Sequence, residues 1–117
     1  MKSAYTIYHN PRCGKSRDTL AILQAKGIEP EIVEYLKVPP SKEALRGILK
    51  MLGMKPEQMV RKGEDVFKQK FAGKILTDDQ WLDALAKNPI LIERPIVVKG
   101  TKAVIGRPPE NVLRLIA

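Results

Sequence analysis

Ala4-Tyr5-Thr6-Ile7-Tyr8-His9-Asn10-Pro11-Arg12-Cys13-Gly14-Lys15-Ser16-Arg17 opens the chain's first recognisable unit. Ala4 to Tyr8 alternate and are rich in Tyr, Thr and Ile, the period-2 pattern of a strand. His9-Asn10-Pro11-Arg12 reads as a tight loop. From Cys13 a helical pattern runs to Lys26, with Leu20 and Leu23 on one face and Gly27 as its stop. Glu31 to Tyr35, centred on Ile32 and Val33, is a second strand. This β-α-β opening implies parallel strands joined by a right-handed crossover.

Downstream, the pattern turns helical. Ser41 is positioned as an N-cap, and Leu45, Ile48, Leu49 and Leu52 follow helical spacing up to Gly53. Pro56 suits a first helical turn, and a short helix is predicted around Val66 to Lys70. Thr77-Asp78-Asp79-Gln80 is a capping-box pattern opening a helix through Trp81, Leu82 and Leu85, which Asn88-Pro89 ends. Ile96-Val97-Val98 and Ala103-Val104-Ile105 flank Gly100-Thr101 as a hairpin, and a last helix follows Pro108-Pro109 on Val112, Leu113 and Ile116. The order predicts an α/β fold: a thioredoxin-like mixed four-stranded sheet with flanking helices and a helical insert.

Length and composition bound the rest. At 117 residues the chain makes one domain, 1–117, and its 44% hydrophobic and 29% charged content is that of a folded globular protein. No apolar run approaches bilayer length, so no membrane partner is expected. Met1-Lys2-Ser3-Ala4-Tyr5 lacks an apolar stretch with a cleavage site, so no secretory signal is expected. A single cysteine forms no internal disulfide, which fits a reducing compartment and a cytoplasmic location. The net charge of +8 raises nucleic acid as a partner. Each half of the chain is +4, however, and aromatics are only 5%, too few for a stacking platform. Unclustered positive charge suits small anions better than a phosphate backbone.

Cys13 carries the chemistry. It sits where a strand turns into a helix, where unpaired N–H groups and the positive end of the dipole favour an anion. Thiols so placed have pKa values lowered from roughly 8.5 to about 3.5–7.5, so a nucleophilic thiolate is expected at neutral pH. Arg12, Lys15 and Arg17 add positive potential, and His9 is near enough in sequence to donate to or pair with the sulfur. A lone cysteine is more often a small buried hydrophobe. The polar neighbours Arg12, Gly14, Lys15 and Ser16 argue against burial in an apolar core.

Three other motifs fail. Gly14-Lys15-Ser16 ends like a phosphate-binding P-loop, but His9 stands where its first glycine belongs. Thr19 occupies the arginine position of a tyrosine-phosphatase loop, and Ser16 replaces the second cysteine of a dithiol motif. Whatever Cys13 becomes in turnover, an external thiol must resolve it.

Tyr8 to Arg17, Glu93-Arg94-Pro95-Ile96-Val97-Val98 and Gly106-Arg107-Pro108-Pro109 together resemble the glutaredoxin-dependent arsenate reductases, as does Met59-Val60-Arg61-Lys62 in the insert. The resemblance spans nearly the whole chain, and because the chain stops at Ala117 it is to a short branch without a C-terminal extension. It implies a thioredoxin-like fold and reduction of arsenate, or a similar small oxyanion, to arsenite with glutathione and glutaredoxin as partners. Glutathione is then the reductant, and no bound cofactor or metal is expected. By the same resemblance Cys13 is the catalytic nucleophile, His9 and Ser16 tune it, and Arg61, Arg94 and Arg107 form the oxyanion site. Pro95 would be the cis-proline facing the cysteine. Two alternatives share the fold: a module like the RNA polymerase-binding regulators, and a glutathione-dependent thiol reductase. The arginines favour arsenate reduction, since a partner-binding module needs no oxyanion site.

Overall fold

The computed structural model describes residues 4–116. Met1 to Ser3, read above for a leader, and Ala117, where the extension would begin, lie outside the described residues. The chain divides into two compact units, Met1–Val38 with Arg94–Ala117, and Pro39–Glu93.

The first unit is built on a four-stranded sheet of order β2-β1-β3-β4. Strands β1 (Tyr5–His9) and β2 (Glu31–Glu34) pair in parallel, with Ile7 opposite Ile32 and His9 opposite Glu34. The parallel pairing requires a crossover, and α1 (Gly14–Ala25) supplies it. Strands β3 (Ile96–Lys99) and β4 (Lys102–Ile105) join antiparallel, Ile7 facing Val97 and Val97 facing Val104. Gly100 turns the hairpin at φ 60°, while Thr101 keeps a negative φ, the pattern of a type II′ turn.

Alternation along β1 buries Tyr5, Ile7 and His9 on one face. Tyr5 and Ile7 pack there with Val97, Leu23, Val112 and Leu115. Each such side chain, taken fully out of water, contributes about 1.5–3 kcal/mol. Helix α1 ends in a Schellman motif: Gly27 sits at φ 77°, Ile28 N–H donates to Leu23 O at 3.0 Å, and Gly27 N–H donates to Gln24 O at 3.0 Å. The last helix differs from expectation. Pro109–Val112 form a 3₁₀ turn and only Leu113–Ile116 are α-helical, as α5. Asn111 N–H donates to Pro108 O at 3.0 Å, three residues back, and its side-chain amide donates to Arg107 O at 3.1 Å and Ile105 O at 3.3 Å, which ties this turn to the end of β4.

The second unit is the helical insert. Ser41 Oγ caps α2 (Lys42–Leu52) by accepting from Ala44 N–H at 3.1 Å, and Gly53 closes it at φ 66°. A 3₁₀ turn over Pro56–Met59 and the short α3 (Asp65–Lys70) lead to α4 (Asp78–Lys87). The capping box forms: Gln80 N–H donates to Thr77 Oγ1 at 3.2 Å, and Thr77 N–H to Gln80 Oε1 at 2.9 Å. The indole of Trp81 stacks on Phe67 at a centroid distance of 6.2 Å and meets Phe71 at 6.0 Å. Lys42 joins α2 to α4 through Asp79 at 2.8 Å and Asp83 at 3.1 Å. Among the described residues no helix is long and apolar enough to cross a membrane.

Candidate active site

The segment between β1 and α1 is a ten-atom turn, Cys13 N–H donating to Asn10 O at 3.0 Å. Asn10 Oδ1 accepts from Arg12 N–H at 3.0 Å, an Asx turn that explains an asparagine before Pro11. Arg17, one turn into the helix, reaches back to Pro11 O at 3.0 Å. Cys13 thereby becomes the N-cap of α1, extended at φ −94° and ψ 122° and half-buried. Its side chain makes no capping hydrogen bond, and the first turn contains no acidic residue. The positive end of a twelve-residue helix is therefore uncompensated at Cys13, and a negative charge is favoured there.

His9 ends β1 on the face turned toward α1, where Ser16 is fully buried. His9 Nδ1 and Ser16 Oγ lie 2.6 Å apart, and Asn10 N–H donates to the same oxygen at 3.0 Å. Burial lowers the His9 pKa by disfavouring the imidazolium; Glu34 opposes this and Arg17 assists it. Ser16 thus bridges His9 to the loop carrying Cys13.

The backbone brings the two Arg-Pro steps alongside each other. Gly106 N–H donates to Pro95 O at 2.9 Å, which sets Arg94-Pro95 beside Gly106-Arg107 at the ends of β3 and β4. Gly106 also lies against α1: a Cβ there would collide with Thr19 Oγ1 and come within 2.9 Å of Pro95 Cγ. Thr19 is itself fixed by donating to Lys15 O at 2.8 Å. Both Arg94-Pro95 and Arg107-Pro108 are cis, the first as the resemblance implied and the second without any sequence signal. Arg94 is half-buried, with its Nε and Nη1 atoms out of solvent, whereas Arg107 is exposed.

Arg61 belongs to the second unit. Its backbone N–H donates to Leu91 O at 2.8 Å, beside the bridge between Val60 and Ile92. Its guanidinium pairs with Glu64 at 3.1 Å and approaches Glu93 at 4.0 Å.

Asn10, Thr19 and Gly106 were not singled out as site residues from the sequence. The first had a readable signal in the Asn-Pro step. The other two depend on a close approach between α1 and β4 that no local pattern encodes.

Several known proteins are similar to this chain. A protein of Escherichia coli (strain K12), "Uncharacterized protein YfgD", is 47% identical over 118 residues, covering 99% of each chain. An arsenate reductase of Haemophilus influenzae is 45% identical and covers 94% of this chain and 97% of its own length. The structure of an arsenate reductase from Vibrio cholerae superposes with a TM-score of 0.92 at 44% identity, over 97% of this chain and 98% of that one. The family pattern itself matches residues 8–115, from the end of β1 into the last helix, and on these grounds the chain belongs to the ArsC family.

Proposed function

We propose that the protein reduces arsenate to arsenite with glutathione and glutaredoxin as thiol donors, with Cys13 as nucleophile and Arg61, Arg94 and Arg107 as the oxyanion site. One observation carries this reading: the chain's only cysteine is the half-buried N-cap of α1, with no acidic residue in the first turn. The names of the relatives support arsenate as the substrate. So does the chemistry. Guanidinium groups hold tetrahedral oxyanions through paired hydrogen bonds and keep their charge at any physiological pH. A thiolate approaching an anion is repelled, and fixed cations offset that repulsion as charge develops.

The Cys13 sulfur attacks arsenic, a sulfur–arsenic bond forms, and an arsenate oxygen leaves as water. Conversion of arsenic(V) to arsenic(III) takes two electrons. Two external thiols supply them and depart as a disulfide while a second oxygen leaves as water; another water then adds to arsenic as the sulfur–arsenic bond breaks, and arsenite leaves with the Cys13 thiol restored. The net yield is one arsenite, one disulfide and one water per arsenate. We place this reaction in the cytoplasm, where glutathione keeps thiols reduced.

The test is arsenite release, followed by arsenic speciation, from purified protein given arsenate, glutathione and glutaredoxin. Release that needs both donors and is lost in Cys13→Ser is the expected result. A folded wild-type protein that releases no arsenite overturns the reading and shifts the weight to a protein-binding module.

A further inference from the structure

A cavity of about 270 Å³ opens beside the loop that leads to Cys13. Pro11 and Arg12 form one wall, Glu34, Leu36 and Lys37 the other, and His9 lies between them. The place is set by topology. His9 and Glu34 are opposed at the ends of two parallel strands, so the cavity lies beyond their carboxyl ends, where open α/β sheets place ligands.

Both walls are fixed by backbone bonds. The Asn10–Cys13 turn holds the first, and on the second Lys37 N–H and Val38 N–H both donate to Glu34 O at 2.9 Å. The lining is chemically asymmetric: two cations (Arg12 and Lys37), one carboxylate (Glu34), and an apolar strip from Pro11 and Leu36. Lys37 and Glu34 approach to 3.4 Å, but at side-chain exposures of 76% and 40% such a pair exchanges partners readily in water. The volume lies just below the range, roughly 300–1,000 Å³, that holds drug-sized ligands, and suits a smaller molecule. It is far from the extended surface a docked protein needs.

Two cations and one carboxylate are the complement of a small peptide bearing two carboxylates and one ammonium, which is the charge pattern of glutathione. We propose that this cavity seats the tripeptide thiol donor, Arg12 and Lys37 taking its carboxylates, Glu34 its ammonium and Leu36 its aliphatic stretch, with its sulfur directed to Cys13. The proposal rests on the reading that Cys13 works with an external thiol; it adds where that thiol binds and what selects it.

Thiol–disulfide exchange tests the seat without arsenate. The Cys13 thiolate attacks glutathione disulfide, one sulfur–sulfur bond breaks as another forms, and glutathione thiolate leaves with the electron pair. The uncharged hydroxyethyl disulfide reacts by the same chemistry without the charges. The quantity read is the ratio of the two rates, measured by mass spectrometry of the modified protein. Lys37→Glu should lower that ratio about tenfold, as expected for a lost charge-assisted contact replaced by repulsion. Lys37→Arg should restore most of it. Lys102→Glu, the same charge reversal on an exposed residue of β4, should leave it within about twofold. An unchanged ratio in Lys37→Glu, or an equal fall in Lys102→Glu, overturns the proposal. Because arsenate is absent, selective exchange without arsenite release would refute the proposed reaction and leave the seat standing.

Discussion

Ser16 Oγ lies 2.6 Å from His9 Nδ1 while accepting the Asn10 N–H at 3.0 Å, with both side chains buried. The Asn10 N–H takes one of the hydroxyl's two lone pairs, which leaves its proton and a second lone pair facing Nδ1. Burial lowers the His9 pKa and so favours the neutral imidazole. A serine two residues past Gly14 therefore anchors the ring of a histidine seven positions earlier.

Replacing Ser16 by Ala should leave His9 Nδ1 and Asn10 N–H without their shared partner. A buried polar group so exposed costs about 1–3 kcal/mol. Thermal unfolding should fall by several degrees, since 1 kcal/mol is worth about 4 °C in a chain of this size. A melting temperature equal to wild type would mean that the bridge contributes nothing to stability.

The His9 shift sets a pH dependence. Its folded pKa lies below the ordinary 6.5, so between those values the unfolded chain binds the proton and the folded chain does not. Stability is thus fully present above about pH 6.5 and is lost as pH falls through that window. Urea midpoints for wild type and His9→Asn, compared from pH 7.5 to 5, should show a steeper decline in wild type. Parallel curves would contradict the assignment.

Local signals made most of this fold legible. The Ser41 and Thr77 caps and the Gly27 and Gly53 stops lie in four-residue windows, and the helices start and end where those residues say. The β-α-β opening follows from alternation and one helical period. The side-chain direction of His9 was not legible, because it depends on which face of β1 the core selects once Ile7 packs against Val97 and Leu23. The last helix is shorter than its spacing predicts: Val112, Leu113 and Ile116 are helically spaced, but a 3₁₀ turn held by Asn111 takes up the first half. Cys13, Arg94 and Arg107 could be nominated from their neighbours in sequence, whereas the contact of Gly106 with Thr19 and Pro95 joins three distant segments and exists only in three dimensions.

That contact has a consequence for Gly106→Ala. The added methyl meets Thr19 Oγ1 and Cγ2 and Pro95 Cγ, none of which is the free end of a flexible chain. Overpacking of this kind costs typically about 1–3 kcal/mol, and occasionally more. Adding Thr19→Ala should recover part of the loss, giving a favourable coupling in a double-mutant cycle. Strict additivity of the two substitutions would show that the strain is relieved elsewhere.

Arg94→Lys and Arg107→Lys conserve charge but replace a planar fork with a point charge. On the proposed reaction each should lower kcat/KM for arsenate by about one to two orders of magnitude, the value of a charge-assisted hydrogen bond. Their stabilities should differ. Arg107 is exposed, so its variant should unfold within about 0.5 kcal/mol of wild type, whereas Arg94 has buried nitrogens and should lose stability as well. Unchanged kcat/KM in both would leave the oxyanion site without support.

Positions 13 and 16 have the spacing that elsewhere yields a reversible intramolecular switch, yet here they face different surroundings. Cys13 is half-exposed at the helix start, and Ser16 is sealed against a ring in the interior. With one cysteine the chain closes no disulfide within itself. Any disulfide at Cys13 joins two molecules, and how long it lasts is set by the concentration of small thiols around it. On the proposed reaction, depletion of the surrounding thiols stalls turnover at once, because the chain holds no second thiol to complete a cycle.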